Sequence, residues 1–318
     1  MLSKPVIMHL PDGFLPAWLA GIGWLAALIA VRYALGRAER SYHQRQLPLM
    51  GLLAAFVFAA QALNFPIAAG TSGHLVGGTL LALLIGPWQA VVSMTAVVVL
   101  QGLVFQDGGL LVMGWNILNL AVFASIGGWV AAGWAGYRSG DELRRLAAAF
   151  VGAWLSVEIS AMAVAVQLAL AGTFPLWLGL PAMAAGHALI GLVEASITVA
   201  VLVFLRAVRP ALLASRAPYE RPATWLAVGL ALALAVACLS PLASPLPDAL
   251  EATAQAGGFA ERAAPIEPIA LQDYSFPGVA NPAMATLSAV AAGTLLVYFV
   301  GSLMAVWLSR RRVSDRNG

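Results

Sequence analysis

The chain has 318 residues, of which 61% are hydrophobic and 10% are charged, and its mean hydropathy is +0.87. A soluble fold of this length cannot bury so much apolar surface, so the composition excludes soluble proteins and predicts an all-α, polytopic helical membrane protein. The single cysteine, Cys238, excludes disulfides and thiolate metal clusters, and the formal net charge of +3 is small. Residues 1–7 lack the apolar core of a cleavable signal peptide, so we expect this tail to be retained or translation to start at Met8.

Eight apolar runs follow the amino-terminal tail, judged against the roughly 20 residues that a membrane-spanning helix needs. They cover residues 15–35, 48–63, 74–105, 113–136, 144–172, 183–207, 224–243 and 283–308. The third run is too long for one span, and Gly86-Pro87-Trp88 interrupts it. Because proline after glycine ends one helix and starts another, the sequence predicts a short helix at 75–85 and a full-length helix at 88–104.

The basic residues give an independent test of that break. Fifteen of the seventeen fall in four clusters: Arg32, Arg37, Arg40 and Arg45; Arg138, Arg144 and Arg145; Arg206, Arg209, Arg216 and Arg221; and Arg310, Arg311, Arg312 and Arg316. The positive-inside rule places all four clusters in the cytoplasm, so an even number of spans must separate neighbouring clusters. The first interval contains an even number only if the long run breaks at Pro87. The sequence therefore predicts nine membrane segments, with the amino terminus outside and the carboxyl terminus in the cytoplasm.

A polar stretch immediately before the first apolar run, Met8-His9-Leu10-Pro11-Asp12-Gly13-Phe14, contains one of only four histidines. If the chain begins at Met8, because translation starts there, as we favour, or because the tail is trimmed, the terminal amine, the deprotonated His9 amide nitrogen and the His9 imidazole can chelate one metal ion through fused rings. If the tail is retained, the site lacks the amine and its affinity differs. Such a planar, all-nitrogen set suits Ni²⁺ or Cu²⁺ better than Zn²⁺ or Mg²⁺. His74 opens the predicted short helix on the same side of the membrane and is a candidate further ligand. The alternative is that His74 merely caps that helix behind Thr71 and Ser72.

Other polar residues lie near the outer ends of their segments, where we expect them to orient the metal ligands or close a loop over the site. They are Asn64, Thr71, Ser72, Gln101, Asp107, Asn116 and Asn119. Helix capping is the alternative for these residues. Glu158, His187 and Glu194 lie inside apolar runs, where ionisable side chains are costly and form either a functional polar network or hydrogen bonds between helices.

Several absences narrow the function further. The only lysine is Lys4, so the chain has no Walker A motif and no nucleotide site of that type. It also lacks HExxH and CxxC motifs and a serine nucleophile with a partner histidine, so we predict a transporter subunit rather than an enzyme. Nothing in the sequence predicts a nucleic-acid partner.

A series of motifs carries a family resemblance. In chain order they are Met8-His9-Leu10-Pro11-Asp12-Gly13-Phe14, Gly70-Thr71-Ser72-Gly73-His74-Leu75, Gly86-Pro87-Trp88, Asp107-Gly108-Gly109, Gly114 with Asn116 and Asn119, and His187 through Glu194. This series resembles the substrate-binding M component of the CbiM/NikM family, the cobalt and nickel members of the energy-coupling factor (ECF) transporters. The tail resembles the companion N component fused in one chain, with Pro247-Asp248-Ala249-Leu250-Glu251 where that family has PDGLE, followed by Asp273-Tyr274. Alanine at 249 departs from the family pattern.

The resemblance implies two domains, a seven-segment metal-binding bundle at 1–223 and a two-span unit at 224–318 with an outer loop at 244–282. It implies a square-planar metal site made by the Met8 amine, the His9 amide nitrogen, the His9 imidazole and the His74 imidazole. It also implies separate partners, namely a transmembrane coupling subunit and two cytoplasmic ATPases, in the lipid bilayer of a bacterial cytoplasmic (inner) membrane.

Which metal is carried follows from the ligand chemistry and from the tail. Amide ligation favours ions that gain from a planar field, and the tail resembles the nickel-type companion, so we expect Ni²⁺ ahead of Co²⁺ as the transported substrate. Two other classes of protein stay open. One is a proton-coupled secondary transporter that uses Glu158, His187 and Glu194, and the other is a structural membrane subunit that binds no metal.

Overall fold

The computed structural model describes residues 9–41, 47–68, 70–208, 223–264 and 270–317. The helices are α1 (Ala17–Ser41), α2 (Leu47–Gln61), α3 (Gly78–Ile85), α4 (Pro87–Phe105), α5 (Met113–Ala135), α6 (Glu142–Leu170), α7 (Leu176–Val208), α8 (Ala223–Ala237), α9 (Ala249–Ala256) and α10 (Pro282–Asn317). The middle of α5, Ile117–Gly127, has π-helical hydrogen bonding. Across the described residues, strand structure is limited to an antiparallel pair of two-residue strands, β1 (Phe65–Pro66) and β2 (Ser72–Gly73).

Six helices are long and apolar enough to cross a membrane, namely α1, α4, α5, α6, α7 and the Pro282–Arg311 part of α10. Two shorter apolar helical stretches cover Pro48–Gln61 and Leu226–Leu242. Large apolar side chains of α1, among them Trp18, Leu25 and Ile29, are exposed, as a lipid-facing surface requires. The protein is therefore an all-α, polytopic membrane protein, as predicted. The total of nine membrane segments stays a prediction.

The predicted helix break at Pro87 is confirmed. Helix α3 ends at Ile85, Gly86 adopts φ 92°, and Pro87 is the first residue of α4. A positive φ of this size is accessible to glycine at little cost, and proline is well tolerated at the first position of a helix because it needs no hydrogen-bond partner there. The break therefore follows from the chemistry of two adjacent residues.

The predicted start of the short helix was wrong. Helix α3 begins at Gly78, after Gly77 with φ 81°, so His74 neither opens nor caps it. His74 lies instead in extended chain between β2 and α3. The physical reason is that backbone groups of Val76 and Gly77 bond to side chains of other helices rather than to a helical turn.

Helices α6 and α7 form a closely packed pair. Asp141 caps α6 by accepting the Arg144 backbone N–H at 2.7 Å, a standard way to satisfy a first-turn donor. Helix α7 begins at Leu176, seven residues before the predicted run, and continues through Pro181. The connection between the predicted runs 144–172 and 183–207 is therefore short, and Pro181 is accommodated inside the helix.

The carboxyl-terminal helices pack onto the amino-terminal bundle, with α10 lying along α2. Gly51 and Gly301 meet at this contact, where a Cβ on Gly301 would stand 2.9 Å from the Gly51 Cα atom. The described residues of the segment 244–282 contact the amino-terminal bundle. Their backbone N–H groups at Ser244, Ala264 and Leu271 donate to the carbonyls of Asn64, Asp12 and Val104 at 2.8 to 3.0 Å.

Candidate metal site

The amino-terminal stretch around His9 is anchored by Asp12. Its carboxylate accepts the backbone N–H groups of Leu110, Leu111 and Val112 at 2.9, 2.9 and 3.1 Å, immediately before α5 begins. Three N–H donors that converge on one carboxylate stabilise its charge, and the amino terminus of the helix that follows adds partial positive charge nearby. Burial raises the pKa of Asp12, and the three N–H donors oppose that rise. The anchor fixes the chain three residues after His9.

Asn116 holds the residue that follows His9. Its side-chain oxygen accepts the Leu10 N–H at 3.1 Å, and its side-chain nitrogen donates to the Leu10 carbonyl at 3.0 Å. The Gly109 N–H donates to the same carbonyl at 2.8 Å. These bonds fully satisfy the backbone of Leu10 in a buried position. A Cβ on Gly109 would overlap the Asp12 carboxylate, so this close approach requires glycine.

The imidazole of His9 is oriented by Asp107. His9 Nδ1 lies 3.2 Å from Asp107 Oδ1 and 3.3 Å from the Asp107 carbonyl oxygen, and both side chains are buried. Burial acts to lower the pKa of His9, but the Asp107 carboxylate outweighs burial and the pKa is raised. Burial acts to raise the pKa of Asp107, yet His9 and a second donor outweigh it and the pKa is lowered. Asp107 therefore remains a carboxylate beside His9.

That second donor comes from the segment 244–282. The Tyr274 hydroxyl donates to Asp107 Oδ2 at 2.6 Å. Gln101 Nε2 lies 3.3 Å from the same tyrosine oxygen and donates to Gln61 Oε1 at 2.8 Å. Burial, followed by the charge of Asp107, raises the pKa of Tyr274 well above its usual value. A continuous polar chain therefore links His9 to helices α2 and α4.

His74 faces His9 edge to face. The two ring centroids lie 5.5 Å apart with an interplanar angle of 88°, and the side chains are 4% and 9% exposed. His74 Nδ1 lies 2.9 Å from the Leu75 carbonyl. A backbone carbonyl at Nδ1 is the arrangement that fixes many metal-binding histidines with Nε2 as the donor nitrogen. The structure thus brings together the two histidines that the sequence analysis paired.

Two side chains hold the backbone that follows His74. Glu194 on α7 accepts the N–H groups of Val76 and Gly77 at 2.7 and 2.8 Å, and Gln61 Nε2 donates to the Val76 carbonyl at 2.8 Å. Charge-assisted bonds of this kind are among the stronger ones inside a protein. Glu194 therefore fixes the chain that carries His74.

A cavity of about 60 Å³ adjoins both imidazoles. Its polar lining residues are His9, His74, Asn116, Asn119, Ser160, His187 and Asp248. The volume is sufficient for an ion or a few water molecules. Within the described ranges, no group of three or more His, Cys, Asp or Glu side chains has a metal-binding arrangement, so a site here needs donors besides side chains. Met8, the predicted amine donor, lies outside the described residues.

The other sequence-predicted residues have different surroundings. Asn119 exchanges two hydrogen bonds with Gln167, at 3.0 and 2.7 Å, next to the cavity. Thr71 bonds locally to the Ala68 carbonyl, and the backbone oxygen of Asn64 accepts the Ser244 N–H. His187 bonds to the Met183 carbonyl within α7. Glu158 is buried on α6, and no hydrogen bond joins it to His187 or Glu194 among the residues described.

Gln61, Asp248 and Tyr274 are among the residues at this site that sequence reasoning did not assign to it. Asp248 and Tyr274 stand in the motifs that carried the resemblance of the tail, which was the available signal. Burial raises the pKa of Asp248 to about 7, opposed mainly by the Glu251 N–H. Gln61 gave no signal because a lone glutamine at the end of an apolar run is typical of a helix terminus.

Residues 9–212 match the sequence profile of CbiM, the cobalt uptake substrate-specific transmembrane region. The chain belongs to the CbiM family. Residues 223–311 match the PDGLE domain, so this family member carries a fused carboxyl-terminal unit.

Relatives of this CbiM-family chain are metal transport proteins. A putative fused nickel transport protein NikMN of Archaeoglobus fulgidus is 36% identical over 92% of this chain and 97% of its own length. The cobalt transport protein CbiM of Sorangium cellulosum is 33% identical over 65% of this chain and 94% of its own. A crystal structure of a truncated transition metal transporter has a TM-score of 0.56 and 30% identity, covering 63% of this chain and 99% of that one.

Removing the Tyr274 hydroxyl should weaken the docking of the carboxyl-terminal unit on the site. We expect Tyr274→Phe to lower the free energy of unfolding by about 2 kcal/mol, a typical contribution of a hydrogen bond to a charged group. The reason is that Asp107 loses the hydroxyl that donates to it at 2.6 Å. The measurement is the melting temperature of the purified protein in detergent. The matched control is Tyr298→Phe, at a partly buried tyrosine of α10. Equal melting temperatures for the two variants would contradict this role of Tyr274.

Proposed function

We propose that this chain is the substrate-capturing component of an ATP-driven importer of the ECF type, and that its substrate is Ni²⁺ or Co²⁺. The observation that carries the proposal is the pair of buried imidazoles, His9 and His74, with ring centroids 5.5 Å apart beside a cavity. Two buried histidines that face each other beside a cavity are suitable ligands for a transition-metal ion. The nickel and cobalt transport proteins among the relatives support the same class of substrate.

The proposed donors are the Met8 amine, the His9 amide nitrogen, the His9 imidazole and the His74 imidazole. Only Nδ1 of His9 can close a six-membered chelate ring with the amide nitrogen of the same residue. His9 Nδ1 lies 3.2 Å from Asp107 Oδ1. Binding in this mode therefore exchanges Asp107 for the metal at Nδ1. Asp107 keeps the hydrogen bond from Tyr274 after the exchange, so its charge stays stabilised.

We place the site at the outer face of a bacterial cytoplasmic membrane, with the amino terminus outside and the carboxyl terminus inside. The placement of the arginine clusters supports this orientation. We divide the chain into a metal-binding domain at 1–223 and a two-span unit at 224–318, a division supported by the family matches at 9–212 and 223–311. A transmembrane coupling subunit and cytoplasmic ATPases complete the proposed transporter.

The proton-relay alternative has less support. A relay needs titratable groups within hydrogen-bond reach of one another or of bridging water. Both carboxylate oxygens of Glu194 instead accept backbone N–H groups, from Val76 and Gly77. His187 bonds to the Met183 carbonyl of its own helix. These contacts are those of structural side chains.

The test of the proposal is a competition between Ni²⁺ and Co²⁺ for purified protein whose amino terminus has been verified as Met8. We expect Ni²⁺ to bind first and to give the yellow absorption and diamagnetism of a planar complex, because amide and amine nitrogens create a strong planar field. The matched control is the chain that starts at Met1, in which the Met8 nitrogen is an amide and cannot supply the amine. An octahedral Ni²⁺ spectrum, or displacement of Ni²⁺ by Co²⁺, would refute the planar site and the nickel preference.

A further inference from the structure

Asp248 lines the cavity beside the two histidines although it belongs to the carboxyl-terminal unit. Its side chain is 4% exposed, and Oδ1 caps α9 by accepting the Glu251 N–H at 2.7 Å. Most aspartates that cap helices lie at the surface, as Asp141 does at the start of α6. Capping explains why a short polar residue stands at 248, but it does not explain why a carboxylate should be buried against a cavity.

Backbone contacts fix Asp248 in register with His74. The Ser72 N–H donates to the Pro247 carbonyl at 2.8 Å, and the Ser72 hydroxyl donates to the Leu246 carbonyl at 2.7 Å. Ser72 is two residues before His74 in the same extended chain. The side of the cavity that contains Asp248 is therefore hydrogen-bonded to the strand that leads into His74, a proposed metal ligand.

Among the described residues Asp248 has no ion-pair partner, and the His9 imidazole, which attracts its charge from a greater distance, is paired with Asp107. The ion pairs found among the described residues join His9 to Asp107, Arg206 to Glu142 and Arg311 to Glu39, and none includes Asp248. Burying a carboxylate is energetically costly unless a positively charged group lies beside it. A Ni²⁺ ion bound to one deprotonated amide still carries a net positive charge. Such an ion in the cavity would supply the missing compensation.

We propose that Asp248 is the counter-charge of the metal site, a residue of the fused unit that faces the cavity and stabilises the bound divalent cation without needing to ligate it. This inference rests on the proposed metal site at His9 and His74. It gives the carboxyl-terminal unit a direct part in metal affinity. It also assigns a role to the aspartate of the Pro247-Asp248-Ala249-Leu250-Glu251 stretch.

The test uses Asp248→Asn in the full-length protein with a verified Met8 terminus, with Ni²⁺ titrated by calorimetry in detergent. Asparagine caps a helix about as well as aspartate, so the substitution removes the charge and keeps the cap. Asp248→Ser, which also keeps a capping oxygen, is the second variant. We expect both to bind Ni²⁺ roughly tenfold more weakly, the lower end of the range for residues that support metal ligands.

Two controls separate the charge of Asp248 from a structural role. Asp141→Asn makes the same change at the cap of α6 and should bind Ni²⁺ as the wild type does. The melting temperature of the metal-free protein should not fall in Asp248→Asn, whereas a merely structural residue would lower it. Wild-type affinity in both Asp248 variants, or a weaker affinity accompanied by a lower metal-free melting temperature, would overturn the inference. Failure of the wild-type protein itself to bind Ni²⁺ would overturn the proposed function and the inference with it.

Discussion

His9→Ala and His74→Ala should each weaken Ni²⁺ binding by more than about a hundredfold, since changes to residues that merely support metal ligands already cost 10- to 100-fold. We expect the larger loss of affinity in His9→Ala, because the His9 side chain closes a chelate ring with its own amide nitrogen. Loss of either imidazole leaves a position in a planar set that water fills poorly. The effect should therefore be a near loss of binding rather than a graded change.

His187→Ala is the matched control for these variants. His187 lines the same cavity, but its Nδ1 is held by the Met183 carbonyl within α7 and it has no place in the proposed donor set. Calorimetric titration of the three variants, each checked for insertion and for its metal-free melting temperature, makes the comparison. Unchanged affinity in His9→Ala or His74→Ala would eliminate the site. A loss of Ni²⁺ affinity in His187→Ala as large as in the other two variants would indicate that the ion binds deeper in the cavity, next to His187.

The membrane fold was largely predictable because each strong signal came from residues adjacent in sequence. The break between α3 and α4 depends only on Gly86 and Pro87, and the run lengths follow from bilayer thickness. The start of α3 was not predictable in this way. Residues 74–77 continue an apolar run, and contacts with Glu194 and Gln61, from other helices, hold this piece extended.

The residues of the candidate site were likewise predictable only in part. His9 and His74 could be paired from sequence because charge patterning places both on one side of the bundle and because histidines are scarce in this chain. Asp107 could be suspected from its place in a loop on that side. Tyr274 and Asp248 could not be assigned, because they reach the site through docking of a segment more than 140 residues further along the chain than Asp107. Neither periodicity nor charge patterning encodes that docking.

Uptake of Ni²⁺ into cells should require partner proteins that this chain does not contain. In a host without ECF coupling subunits, expression of the chain alone should give no accumulation of radioactive nickel above the empty vector. Co-expression of a coupling subunit and two ATPases should restore accumulation. The physical reason is that the proposed site lies in a buried cavity, so release of an ion to the other side would need a change of conformation driven by a separate energy source. The only lysine of the sequence, Lys4, does not stand in a P-loop motif, so an ATPase of that type would have to come from a partner.

Two matched variants make the uptake experiment decisive. An ATPase partner without its P-loop lysine should abolish accumulation while the purified metal-binding chain keeps its Ni²⁺ affinity, because hydrolysis and capture are then separate steps. His9→Ala in the complete set should abolish accumulation with the ATPases intact. The opposite outcome is Ni²⁺ accumulation in vesicles that contain this chain alone, driven by a proton gradient and lost in Glu194→Gln. That result would establish the secondary-transporter alternative, because both the ion path and the energy coupling would then lie within these helices.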